Sequence, residues 1–335
     1  MFSVKIKNLR SLKDTKKLDI KPLTLLVGEN SSGKSTFLRI FPLFRQSIEA
    51  RTSGPLLWWG RFVDFGSFSN SIYSKSEEKS IYFSFEFSLS GALKPGIRYF
   101  PLWEGWIFRR PRHSMNFNIN VEVKISEGED DQTAYVEQLL LKFKGQNVLI
   151  QIDNHESVNK VIINDCDFSD KFKHLSIVNN SGIIPEFTFQ SEDSTPRKSI
   201  KDYEMLPFYS ESIATLQKYI HRNTSPRTTF RLLESIELGS SEGMLKSIQN
   251  PRFGTKTWRA KTSKWTVDNP SFLELQNLLI AKSFLNLLTD SRTIFSDIMA
   301  QSNYIAPVRA TAERYYRQQN LAIDEIDYKG QNIAM

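Results

Sequence analysis

The sequence predicts an α/β protein of the P-loop NTPase class, and three observations carry that prediction. Residues 28–36, Gly28-Glu29-Asn30-Ser31-Ser32-Gly33-Lys34-Ser35-Thr36, fit G-x-x-x-x-G-K-[ST]. The apolar, partly β-branched run Leu23-Thr24-Leu25-Leu26-Val27 stands before them, and Phe37, Ile40 and Phe41 follow at helical spacing. This is the strand, loop and helix order that such a motif needs, with the strand expected to be parallel and buried. Two later segments alternate with period 2: Ile81, Phe83, Phe85, Phe87 and Leu89, then Phe117, Ile119, Val121, Val123 and Ile125. Such strands bury one face and wet the other, as antiparallel strands do, so the sheet is expected to be mixed.

The loop chemistry follows from the residue types. Gly28 and Gly33 permit a backbone path that a Cβ would obstruct. Successive N–H groups from Glu29, Asn30, Ser31 and Ser32 to Thr36 then point inward, and the helix dipole adds to their field. Lys34 is placed to reach the β- and γ-phosphates of ATP, and the Ser35 hydroxyl to ligate Mg²⁺. Lys34 is the expected catalytic residue, and the whole segment is the expected nucleotide site.

Bulk properties narrow the setting. At 335 residues the chain has room for two domains or one domain with an insertion. A net charge of +7 permits a polyanionic partner without demanding one. The lone Cys166 excludes an intramolecular disulfide, and His113, His155, His174 and His221 lack metal-ligand spacing. No signal-peptide or membrane-spanning run is present, so a soluble, cytoplasmic protein is expected.

Ahead of the loop, Phe2 to Ile6 alternates as a strand, and Leu18-Asp19-Ile20 is placed to pair back on it. After the loop, Pro42 predicts a kink or stop near Phe41, at a cost of ~3 kcal/mol if the helix runs through. The segments IKNLRSL at 6–12 and PLTLLVGENSSGKSTFLRIFPLF at 22–44 resemble the opening of ABC-type ATPases. The closer likeness is to the overcoming-lysogenization-defect (OLD) family and its relatives among the Gabija-, Septu- and retron-associated anti-phage ATPases. The resemblance implies an ABC-type ATPase core with an antiparallel β-layer and a mainly helical insert. It also implies that Arg10 approaches ATP; on its own chemistry Arg10 reads equally well as a solvated turn residue. Asp64-Phe65-Gly66-Ser67-Phe68 resembles the family's γ-phosphate-sensing landmark, although no glutamine lies in it and Gln46 belongs to the preceding helix pattern. A plain glycine turn between aromatic core residues is the alternative.

Two stretches combine arginine or lysine with aromatics. Between the clear strands lie Trp106, Phe108, Arg109, Arg110 and Arg112. Residues 251–265 carry Arg252, Lys256, Arg259, Lys261 and Lys264 with no acid, interleaved with Phe253, Trp258 and Trp265. Each is a nucleic-acid contact or a solvated basic loop. Further strands are expected at 138–143 and 148–152, and helices at 211–220 and 229–238. Asp268-Asn269-Pro270 opens the strongest helix, with Phe272, Leu275, Leu278, Leu279, Leu285 and Leu288 as its apolar positions.

The organisation expected is an ATPase core over 1–165, a mainly helical insert over 166–300, and a return to the core over 301–335. Tyr304-Ile305-Ala306-Pro307-Val308-Arg309 resembles the family's Y-I-x-P-x-R return. Arg309 reads either as a phosphate-side group or as half of an ion pair. Neither the ABC signature segment nor a strand ending in Asp-Glu stands out, and Asp324-Glu325 follows too short an apolar run. Those parts, and the family's TOPRIM nuclease half, are expected beyond Met335 or on a partner. The partners expected are therefore a second copy of the chain, DNA or other nucleic acid, and a nuclease or other defence subunit, with no membrane. The other readings are a DNA-repair ATPase with coiled-coil arms, for which the heptads are missing, and an ATP-binding scaffold that does not hydrolyse.

Overall fold

The computed structural model describes residues 2–50, 52, 54–89, 117–129, 133–179, 182–189 and 207–305. In chain order the strands are β1 (Phe2–Leu9), β2 (Leu12–Asp14), β3 (Leu18–Ile20), β4 (Ser80–Ser88), β5 (Asn118–Glu127), β6 (Ala134–Phe143), β7 (Gln146–Ile152), β8 (Val158–Ile163), β9 (Cys166–Asp167), β10 (Leu175–Asn179) and β11 (Glu186–Phe189). The helices are α1 (Lys34–Ala50), α2 (Phe68–Ser71), α3 (Pro207–Gln217), α4 (Pro226–Glu234), α5 (Ser241–Gln249), α6 (Lys256–Thr262) and α7 (Pro270–Ala300).

The first nine strands form one antiparallel sheet in the order β2-β1-β4-β5-β6-β7-β8-β9, with β3 also on β1. Its register puts Phe85 opposite Val4 on one side and Val121 on the other. One face is therefore a continuous apolar layer of Ile81, Phe83, Phe85, Phe87, Val121, Val123, Leu139, Leu141, Val148 and Ile150, all buried. The other face is wet and carries the ion pairs Lys17–Glu86 (2.6 Å) and Lys142–Glu122 (2.7 Å). The alternation in the sequence is this division.

Helices α1 and α7 cover the apolar face. Phe44 of α1 makes edge contacts with Phe83, Phe85 and Phe295 at centroid separations of 5.3, 5.4 and 5.3 Å. This packing explains the first departure from expectation, because α1 does not stop near Phe41 but runs through Pro42 to Ala50. Leu43, Phe44 and Ser47 beyond the proline are buried. Burying a leucine or phenylalanine contributes about 1.5–3 kcal/mol, enough to offset the roughly 3 kcal/mol proline cost.

The second departure is the run before the loop. Residues 23–27 pair with no strand among the described residues, and Leu23, Leu25 and Val27 are 79, 78 and 89% exposed. A buried parallel strand needs a neighbour to complete its ladder, and none of the described strands lies beside this run.

The later part combines a β10–β11 hairpin, which the sequence patterns did not indicate, with α3 to α7. Asn269 caps α7 by accepting from the N–H groups of Ser271 and Phe272. Over 31 residues α7 spans two cores. Phe272, Leu275 and Leu279 join Leu216, Leu232, Met244, Ile248, Trp258 and Trp265 in a helical core. Phe284, Leu288 and Phe295 join the sheet core. Amides tie the helix to the sheet edge: Asn164 donates to Gln146 (2.7 Å) and Asn277 (3.0 Å), and Gln276 donates to Gln146 (3.2 Å). At the far end Arg45 of α1 donates to Glu49 (2.7 Å), to the Ser302 carbonyl (2.9 Å) and to Asn303 Oδ1 (3.0 Å). The segment entering the return motif is thus held against α1. Pro307, Arg309, Asp324 and Glu325 lie outside the described residues, as do Arg109, Arg110 and Arg112. No helix among the described residues is long and apolar enough to cross a membrane.

Candidate functional site

The loop 28–33 enters α1 at Lys34. Gly28, Ser31 and Gly33 have φ of 151, 62 and 94°. Gly33 is favoured by its φ, and it also lies close under two side chains. A Cβ there would lie 2.6 Å from Leu12 Cδ2 and 3.1 Å from Ser11 Oγ. The turn after β1 therefore packs directly on the loop, and Ser11 Oγ reaches Thr36 Oγ1 at 3.3 Å.

Lys34 folds back across the loop. Its ammonium donates to the carbonyls of Gly28 (2.7 Å) and Glu29 (2.5 Å) and to Ser32 Oγ (3.3 Å). The first turn of α1 contains no acid, and the N–H groups of a first turn have no intrahelical acceptor. Glu29, Asn30, Ser31, Ser32 and Ser35 are exposed. A loop bounded by two positive-φ glycines, one ammonium and an exposed serine hydroxyl are groups suited to a triphosphate. Ser35 Oγ is an oxygen ligand suited to Mg²⁺.

Arg10 sits in a left-handed turn (φ 48°), whose N–H donates to the Ser71 carbonyl at 2.7 Å. The turn is anchored by buried Asn8, which donates to the Glu78 carbonyl at 2.9 Å. The Arg10 guanidinium lies 4.5 Å from the centroid of Phe65. Arg39, one turn after Ser35 on α1, lies over the same ring at 5.4 Å and donates to the Asp64 carbonyl at 3.0 Å. Partial burial first, and then the charge of Arg39, hold the Arg10 pKa below its ordinary value, while Asp64 acts in the opposite sense. The segment 64–68 is a glycine turn with Phe65 and Phe68 buried, and both guanidinium groups lie over its Phe65 ring.

Gln46 is spent elsewhere. It donates to the carbonyls of Leu57 (2.6 Å) and Val63 (3.2 Å) and accepts from the N–H groups of Phe62 and Val63 (3.1 Å each). It holds the 57–63 loop in place and has no donor or acceptor left for a phosphate.

Sequence reasoning missed Arg39, Phe65 as its platform, and the Ser11–Thr36 contact. The usable signal was the i, i+4 spacing from Ser35 to Arg39, which puts both on one side of α1.

The basic stretch at 252–264 belongs to the helical core, and none of its residues bonds to the loop. Trp258 is fully buried and Trp265 is buried, with Trp258 Nε1 donating to the Ile248 carbonyl at 2.6 Å. They are core residues and offer no stacking face, which corrects the interleaved-aromatic reading at those two positions. Arg252, Lys256, Arg259 and Lys264 are exposed, whereas Lys261 donates to the Lys218 carbonyl at 3.0 Å. Among the described residues no group of three or more His, Cys, Asp or Glu could hold a metal ion.

A family model described as an AAA ATPase domain matches residues 1–250, which takes in the loop, the whole antiparallel sheet and the start of the helical core. No curated protein matches the chain.

Proposed function

The chain belongs to the AAA ATPase domain family, and from that premise we propose that it is the ATP-binding and ATP-hydrolysing module of an OLD-like anti-phage defence protein, built as an ABC-type ATPase. One observation carries this reading furthest. The turn after β1 packs on Gly33, while Arg10 from that turn and Arg39 from α1 meet over Phe65 of the 64–68 segment. Three separate stretches that resemble the OLD-like family thus meet at Phe65, and the first of them also packs on the phosphate loop at Gly33.

In this reading Gly28 to Thr36 wrap the phosphates, Lys34 exchanges its carbonyl contacts for β- and γ-phosphate oxygens, and Ser35 supplies an oxygen to Mg²⁺. Mg²⁺, held there by Ser35, would supply positive charge to offset the charge that develops during phosphoryl transfer. Arg10 and Arg39 add positive charge at the phosphate tail and link it to residues 64–66. A second copy of the chain completes the site by covering the exposed loop, so that nucleotide state controls self-association and, through it, a TOPRIM-type nuclease or other effector on DNA.

The test is a plaque assay on cells carrying the native system with wild-type protein or Lys34→Ala. The reading expects protection to disappear in the variant at unchanged protein level. Protection that survives Lys34→Ala would sink the defence role of the nucleotide site.

A further inference from the structure

The positive charge of the chain is not spread evenly. Residues 207–265 contain ten Lys and Arg against four Asp and Glu, a formal +6 of the +7 carried by the whole sequence. That charge sits on the helical core, apart from the phosphate loop.

Within it, among the described residues, Phe253 is turned outward. Phe253 is 39% exposed, although it lies between the buried Pro251 and the start of α6. The loop that presents it is tight. A Cβ at Gly254 would lie 2.6 Å from Pro251 Cγ, and Thr255 caps α6 by accepting from the Trp258 N–H at 3.2 Å. Two guanidinium groups flank the ring, Arg231 from the last turn of α4 at 5.6 Å and Arg252 at 5.5 Å from its centroid. Neither arginine has a carboxylate partner among the described residues. Lys256 and Arg259 continue the charge along the exposed side of α6.

We propose that Arg231, Phe253 and Arg252 form a binding site for single-stranded nucleic acid. Two like charges on one ring repel, and a phosphate between them removes the repulsion while accepting the paired N–H donors that guanidinium groups offer. The part of the ring left exposed beside the two guanidinium groups supplies a stacking surface for a base. A duplex keeps its base faces stacked on each other, so the ring selects a strand whose bases are free. Lys256 and Arg259 carry the backbone onward. The site goes beyond the ATPase reading and uses none of its residues.

The experiment is fluorescence anisotropy of a labelled oligothymidylate with the native protein, repeated over a salt series, against Phe253→Ala, Phe253→Tyr and the double variant Arg231→Ala/Arg252→Ala. ATP binding by the same preparations serves as the check on folding and on the separate nucleotide site. The wild type is expected to prefer the single strand to a duplex of equal length. Phe253→Ala loses roughly tenfold in affinity with an unchanged salt slope, the loss expected from one unstacked base, and Phe253→Tyr retains binding. The double arginine variant also binds more weakly, with a salt slope shallower by about 1.4, roughly 0.7 for each phosphate that is no longer neutralised. ATP binding stays at the wild-type level throughout. Equal affinity of Phe253→Ala and wild type would overturn the proposal. So would preference for duplex or heparin, or capture of anionic vesicles without oligonucleotide binding.

Discussion

The guanidinium groups of Arg10 and Arg39 lie over the same phenylalanine, Phe65, at 4.5 and 5.4 Å from its centroid. They come from different elements, and their mutual charge lowers the Arg10 pKa after the larger effect of burial. Asp64 offsets this repulsion only in part, and a bound anion would offset more of it. Arg39→Ala is therefore expected to weaken ATP affinity by roughly tenfold, the scale of a missing hydrogen bond to a charged group. The nucleotide-free protein should lose at most about 1 kcal/mol of stability, from the Asp64 and Phe65 contacts. Calorimetric titration with ATP, beside a melting curve without it, checks both halves. A destabilised variant with unchanged ATP affinity would make Arg39 a packing residue.

Gly33 joins a positive φ of 94° to a 2.6 Å approach between its added Cβ and Leu12 Cδ2. Gly33→Ala should therefore cost about 1–3 kcal/mol in urea unfolding and shift the Leu12 side chain. Gly145 has a φ of 82° but open space around it, so Gly145→Ala should cost only about 1 kcal/mol. Similar losses at both sites would mean that contact with Leu12 does not matter.

Gln46 is 2% exposed and satisfies four backbone groups of the 57–63 loop. Gln46→Ala takes the partner from three of those groups, the Val63 carbonyl keeping the Gly60 N–H, and a loss of about 2–4 kcal/mol is expected from chemical denaturation. A loss under about 0.5 kcal/mol would show that water replaces the amide without penalty.

Glu127 anchors α2, which follows the 64–68 turn, by pairing with Lys79 (2.7 Å) and accepting from Ser69 Oγ (2.7 Å). Lys79 first, and Ser69 second, hold its pKa below the ordinary carboxylate value. A depressed carboxylate contributes stability above its unfolded pKa, roughly 4.3, and that contribution fades as pH falls through the lower folded value. The stability gap between wild type and Glu127→Gln should thus be at most about 1 kcal/mol near neutral pH, because the pair is solvent-screened, and should close in acid. Denaturation curves at about pH 7 and about pH 3 make the comparison. A gap that persists in acid would contradict the assignment.

Much of the fold was legible where local chemistry and tertiary packing agree. The period-2 strands at 81–89 and 117–125 read directly because one face is core and the other solvent. The Asn-Pro start of α7 read directly because capping is local. Pro42 misled because its cost is local, whereas the packing of Phe44 on Phe83 and Phe85 that outweighs it is not. Trp258 and Trp265 misled in the same way: a basic, aromatic composition does not say which residues of α6 and the turn after it face inward. At the site, the loop residues were legible as a motif. The meeting of Arg10, Arg39 and Phe65 was not, since it depends on three segments brought together only by the fold.

The central claim is that residues 28–36 bind ATP through Lys34, and its most direct test is isothermal titration of ATP–Mg²⁺ into wild type and Lys34→Ala. The account predicts saturable binding by the wild type and loss of at least roughly a hundredfold in the variant, the scale of removing a charged group from two phosphates. Equal affinities would contradict it and place the nucleotide, if any, somewhere other than this loop.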